Sequence, residues 1–236
     1  LETTKIHSVA GALTSRDSLI STRPFRSPHH TISTISLIGG GPNAKPGEVS
    51  LAHNGVLFLD EFAEFKRPAL EVLRQPLEDG IVTVTRIKAV YTYPSKFILV
   101  AAMNPCPCGY LNHPDRQCKC SHYEIEKYLS KLSGPLLDRI DIHIEVLPVA
   151  KRELFQLSVQ ASTAPTREPS AVVRKRVQAA RDIQNRRFAN TGIYCNANMN
   201  KKQIKKYCAL SAEQNETLVS TVEKYNLSVR SFDKIL

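Results

Sequence analysis

Residues Gly55-Val-Leu-Phe-Leu-Asp-Glu-Phe62 decide how the rest of the chain is read. Four apolar residues, Val56 to Leu59, run without alternation into two adjacent carboxylates, Asp60 and Glu61. An unbroken apolar run of this kind predicts a strand buried on both faces, as in the centre of a parallel sheet. Two carboxylates at its end are costly to desolvate unless something there uses them. In open α/β sheets the carboxyl ends of the strands are where ligands bind. The pattern fits the acidic element of an ATPase, in which an Asp holds Mg2+ and the next Glu activates water. It also fits a strand that stops at a charged turn.

A second apolar run, Phe97 to Met103, ends at Asn104. Placed beside the first as a parallel strand, it aims an amide into the same crevice, where it can orient water or a phosphate. An Asn in the Asn-Pro turn that opens the next loop is the plainer reading of the same residue. Between the two runs, Pro68 to Leu77 carries Leu70, Leu73 and Leu77 at helical spacing, with Pro68 in the first turn. Ile81 to Tyr93 is rich in Val, Thr and Tyr and reads as two strands joined around Arg86-Ile87-Lys88. The cations at that tip suit either a nucleic-acid backbone or solvent.

Upstream, Ile6, Val9, Ala10 and Leu13 suit a helix end that turns at Gly11. Arg23-Pro-Phe-Arg-Ser-Pro-His-His30 is predicted to be extended, because its prolines exclude a helix. Its two Arg and two His suit a phosphate, a partner or a solvated edge. Gly39 to Gly47 is read as a mobile loop.

After Asn104 come Cys106-Pro-Cys108 and Cys118-Lys-Cys120. Four thiolates can hold zinc tetrahedrally, although Cys-x-Cys is a weaker signal than the usual Cys-x-x-Cys. Reduced thiols with no metal are the alternative. Tyr123 to Leu132 reads as a helix. Ile140, Ile142, Ile144 and Val146 alternate with polar residues, as in a half-exposed strand, with Arg139 just before it. A short helix is expected over Lys151 to Val159, and a Pro-containing linker over residues 161–170. From Ala171 the pattern is helical, with Val173, Val177, Ala180 and Ile183 on one face. Two further helices are expected over Asn198 to Cys208 and Ala212 to Tyr225, and a last one from Leu227.

Lys and Arg exceed Asp and Glu, 32 to 22, for a net charge of +10, which favours a polyanionic partner such as nucleic acid. No apolar run approaches the roughly 18 residues of a membrane span. Six Cys without a signal peptide point to a reducing, cytoplasmic setting. The first residue, Leu1, and the interrupted pattern at the end suggest a piece cut from a longer chain.

Together these stretches resemble the ComM/YifB-type magnesium-chelatase-like AAA+ ATPases. The resemblance rests on the Arg23–His30 segment, on Pro46 through Phe62, and on Leu73-Arg-Gln-Pro-Leu-Glu-Asp-Gly80. Ala102-Met-Asn-Pro-Cys-Pro-Cys-Gly109, Leu132-Ser-Gly-Pro-Leu-Leu-Asp-Arg-Ile-Asp141 and Leu227-Ser-Val-Arg-Ser-Phe-Asp233 extend it over nearly the whole chain. It implies an α/β fold: an AAA+ P-loop-type parallel sheet flanked by helices, with a β-hairpin insertion. Residues 1–160 would form this core and residues 171–236 a small α-helical lid.

The resemblance also implies roles. Asp60 would sit at Mg2+, and Glu61 would polarise water. Asn104 would be sensor 1, Arg139 the arginine finger reaching the ATP of a neighbouring subunit, and Arg230 the sensor 2 arginine. The hairpin would place Arg86 and Lys88 on DNA. In this family the phosphate-binding loop lies upstream of the region matching residue 1. ATP binding by these 236 residues alone is therefore expected to be very weak. The function implied is a ring-forming, hexameric, Mg-dependent ATPase acting on DNA as a helicase in branch migration. The alternatives are a chelatase- or chaperone-type motor that remodels a protein, and a zinc-stabilised DNA-binding module without ATPase activity.

Overall fold

The computed structural model describes residues 1–13, 19–86, 89–146, 168–225, 227, 232 and 234–235. The chain divides into two compact units, Leu1–Glu145 and Val146–Leu236.

In the first unit α1 (Glu2–Ala10) ends at Gly11, whose φ of 73° is the left-handed conformation that closes many helices. The extended segment that follows holds β1 (Phe25–Arg26). Then come α2 (Thr34–Ile38), β2 (Gly39–Gly40), β3 (Lys45–Pro46) and α3 (Glu48–Leu51). The opening apolar run forms β4 (Val56–Leu59), followed by a 3-10 turn over Phe62–Glu64. Next are α4 (Arg67–Glu71), α5 (Arg74–Asp79), β5 (Ile81–Arg86), β6 (Ala89–Pro94) and β7 (Ile98–Ala101). The unit ends with α6 (His122–Leu129) and α7 (Gly134–Leu137).

Strands β1, β4 and β7 form a parallel sheet in that order, with Phe25 opposite Val56 and Leu59 opposite Ala101. The architecture is α/β, a parallel sheet flanked by helices. Leu57 and Leu59 point into a core shared with Leu37, Phe62, Phe65 and Leu70. Strands β5 and β6 pair separately as an antiparallel hairpin, from Ile81 opposite Pro94 to Arg86 opposite Ala89.

Five expectations differ from the structure. Strand β4 is not buried on both faces: Leu57 and Leu59 are fully buried, whereas Val56 and Phe58 are half-buried. The face carrying Phe58 is covered in part by Phe25, stacked at 6.2 Å. On β7, the edge strand of the described sheet, Ile98 and Val100 share one face and are exposed, so that face is not covered there. The predicted helix from Pro68 to Leu77 is two short helices. Pro76 has no N–H to give to the carbonyl four residues back, so the run breaks at Val72–Leu73. The supposed Gly39–Gly47 loop is a small antiparallel pairing of β2 with β3.

The alternating segment Ile140 to Val146 is not a strand. Its side chains at Ile142, Ile144 and Val146 are 74%, 78% and 86% exposed. A period-two pattern makes a strand only where another backbone supplies the ladder.

In the second unit, Ser170–Arg187 forms α8, Lys201–Tyr207 forms α9 and Ala212–Lys224 forms α10. Asn200 and Ser211 begin the last two with reciprocal capping boxes to Gln203 and Gln214. Phe188 is buried and meets the Tyr207 ring edge-on at 5.6 Å. The helix expected over 151–159, most of the linker, Lys88 and Arg230 lie outside the described residues, as does most of the last expected helix.

His53, at the turn before β4, is 2% exposed. Its Nδ1 accepts the backbone N–H of Lys96 at 3.1 Å, so Nε2 carries the proton and faces Glu2 at 3.3 Å. Burial holds this imidazole below its usual pKa, against the opposing pull of Glu2 and with help from Lys96. The folded chain therefore binds fewer protons here than the unfolded one, and stability falls as pH drops below about 6.5. Chemical denaturation between pH 7.5 and 5 should show this loss, and His53→Gln should flatten it. An unchanged slope would remove His53 as the cause.

Candidate functional site

Strands β4 and β7 run parallel and in register, so Asp60 and Asn104 emerge at the same end of the sheet. The two chains stay laced past the ladder: Ala102 N–H donates to Leu59 O at 3.0 Å, and Phe62 N–H donates to Ala102 O at 2.9 Å. Asp60 and Glu61 are exposed, as is Asn104. Glu61 has a φ of 52°, a left-handed backbone that few non-glycine residues adopt. Its N–H donates to Asp60 Oδ1 at 2.8 Å, which fixes one carboxylate against the backbone of the next residue. These are hard oxygen donors reachable by water, the donor set that Mg2+ takes. Asp60 and Glu61 therefore fit a magnesium ion by their chemistry.

Two neighbours were not legible in the sequence. His30 Nδ1 lies 2.7 Å from Glu61 Oε2, and the His30 ring also packs on His29 at 4.1 Å. Tyr128, on α6, is buried, and that burial is the main reason its phenol stays protonated above the usual range. Glu64, Cys106 and Glu61 reinforce the rise, while a hydrogen bond with the Asn104 backbone opposes it.

The extended Arg23–His30 segment spends its cations inside the unit. Arg26 makes a bidentate pair with Glu48, Nε to Oε2 at 2.5 Å and a second contact at 2.6 Å. That pairing raises the Arg26 pKa further. Arg23 donates to Asn54 O at 2.7 Å.

Arg139 lies apart from the carboxylates. Its guanidinium pairs with Glu78 and donates to Pro135 O at 2.5 Å, and its side chain is 11% exposed. It lines a cleft with Glu71, Arg74, Asp79 and Thr83. Arg86 ends β5 at the hairpin tip.

The four cysteines converge. Cys106 and Cys108 Sγ are 3.5 Å apart, Cys106 and Cys118 3.7 Å, and Cys108 and Cys118 3.6 Å. All four Sγ atoms lie within 4.8 Å of one another. Backbone N–H groups of Lys119 and Tyr110 draw the Cys108 thiol down to about 6. Desolvation pushes Cys120 up to about 12.

Comparison with known proteins follows this geometry. The family model for magnesium chelatase, subunit ChlI, matches residues 1–154, and that for the ChlI C-terminal region matches residues 167–236. The chain belongs to the magnesium chelatase family. Within that family it is 45% identical over 214 residues to the competence protein ComM of Haemophilus influenzae, covering 91% of this chain and 40% of ComM. The protein YifB of Escherichia coli is 41% identical over the same length, with the same coverage. An uncharacterised protein of Mycobacterium tuberculosis, Rv2897c, is 41% identical over 237 residues, covering all of this chain and 45% of its own. The chain thus spans about two fifths of the length of the curated relatives it matches. The ADP complex of NtrX from Brucella abortus superposes with a TM-score of 0.40 at 20% identity, over 57% of this chain and 28% of that one. That overlap is too partial to rest a fold on. No helix among the described residues is long and apolar enough to cross a membrane.

Proposed function

We propose that these residues form part of a ring-forming, Mg-dependent AAA+ ATPase that acts on DNA in the cytoplasm. The observation that carries the reading is the Asp60–Glu61 pair at the carboxyl end of β4, beside Asn104 at the same end of β7. In this reading Asp60 holds the magnesium, and Glu61 takes the proton of the attacking water. Asn104 orients that water or the terminal phosphate by hydrogen bonding. Magnesium, when bound with ATP, neutralises phosphate charge. Arg139 leaves Glu78 to reach the nucleotide of an adjacent subunit, and Arg230 acts from the helical lid. The ring is a hexamer.

The DNA half of the proposal draws on the net charge of +10 and on the hairpin of β5 and β6, whose connecting sequence Arg86-Ile87-Lys88 carries two cations. A relative named as a competence protein points the same way. The cytoplasmic setting draws on six cysteines, none of them in a disulfide.

The test is salt-dependent binding of the complete protein to single-stranded and branched DNA. Affinity should fall steeply with salt, and Arg86→Ala with Lys88→Ala should lower the log–log slope by roughly 1.5. No binding at low salt would end the DNA reading. An unchanged slope would take the hairpin out of it.

A further inference from the structure

We infer that Cys106, Cys108, Cys118 and Cys120 bind one structural zinc ion, which fastens the loop between β7 and α6 beneath Asn104. A zinc ion with four sulfurs at about 2.3 Å has sulfur–sulfur edges of about 3.8 Å. Three of the edges here, 3.5, 3.7 and 3.6 Å, fall close to that value, and the fourth sulfur is within 4.8 Å of the others. None of the four is in a disulfide. Four soft sulfur donors, with no oxygen donor among them, select zinc over magnesium. Cys106 is fully buried, so the ion would be anchored from the core side.

The loop bears on the carboxylate end of the sheet at two places. Gly109, with a φ of 77°, passes so close to Asn104 that a Cβ there would sit 3.8 Å from its side chain. Cys106, the buried ligand, lies only two residues past Asn104. Zinc would therefore close a loop of low regular structure and hold Asn104 in place. Only the value of that placement rests on the ATPase reading; the zinc site itself does not.

Metal analysis of the protein purified without chelators tests the site. About one zinc per chain is expected, falling below a tenth in the double variant Cys118→Ser, Cys120→Ser and unchanged in Cys195→Ser and Cys208→Ser. A mercurial titration of the unaltered protein needs no variant to fold, and should release one zinc for about four thiols consumed. Hydrogen exchange over residues 104–120 should then rise several-fold. Less than half an equivalent of zinc, stoichiometric iron instead, or full zinc in the double variant would each overturn the inference. If zinc is present and DNA-stimulated ATP hydrolysis is absent, the metal site stands and the ATPase reading falls.

Discussion

Replacing Glu61 with Gln in the complete protein is expected to lower ATP turnover at least about 100-fold while leaving nucleotide binding nearly intact. Gln has the shape of Glu and can still accept a hydrogen bond. It cannot take a proton from water. The backbone at this residue is held in an uncommon left-handed conformation, and its N–H is tied to Asp60. An isosteric change disturbs neither feature. Asp60, at the strand end, keeps its carboxylate, so metal and nucleotide affinity should survive. Single-turnover hydrolysis and equilibrium binding of a fluorescent nucleotide separate the two quantities. Turnover within about threefold of the unaltered protein would take Glu61 out of the proton-transfer role. Lost binding together with lost turnover would instead assign Glu61 to the metal.

The second large effect is on stability. Gly55→Ala is expected to destabilise the chain by about 3 kcal/mol or more. A Cβ at Gly55 would fall 2.0 Å from Pro24 O and 2.8 Å from Pro24 C. Both are backbone atoms, so no rotamer change relieves the clash. The same carbonyl accepts the N–H of Val56 at 2.9 Å, so relief means separating β1 from β4 at the point where their pairing begins. Gly134 is the contrasting case, with nothing within 4 Å of its would-be Cβ and a place in α7. Gly134→Ala should be neutral or stabilising by up to about 1 kcal/mol. Thermal unfolding of the two variants side by side reads the difference. Similar melting temperatures for both would show that β1 is not seated against β4 as described.

The carboxylate end of the sheet was legible because each part of its signal is local. Two apolar runs, each ending in a polar residue, gave β4 with Asp60–Glu61 and β7 with Asn104. The β-branched run gave the hairpin, and its strands pair as expected. The errors arose where distant residues decide. Whether Ile140 to Val146 becomes a strand depends on a neighbouring backbone, which no period-two pattern encodes. Val56 and Phe58 look as buried as Leu57 until the cover on each face is known. Pro76 was a local signal that helical spacing overrode. The partners His30 for Glu61, Tyr128 for Asn104 and Glu78 for Arg139 come from remote segments. Convergence of the four thiols, in contrast, is confined to one loop, and its Cys-x-Cys pairs were visible before the fold was.

The pair Glu78–Arg139 carries a further consequence. If Arg139 acts on a neighbouring subunit, as proposed, it must first leave this ion pair, in which its side chain is 11% exposed. Ring assembly and that release would then be coupled.

In the proposed function Asp60, Glu61 and Asn104 serve ATP hydrolysis that DNA stimulates. The most direct measurement is steady-state ATP hydrolysis by the complete protein with magnesium, with and without branched DNA, alongside the Glu61→Gln variant. DNA is expected to stimulate hydrolysis several-fold, and the variant to abolish it. Hydrolysis absent under all conditions, or present and indifferent to both DNA and Glu61→Gln, would contradict it.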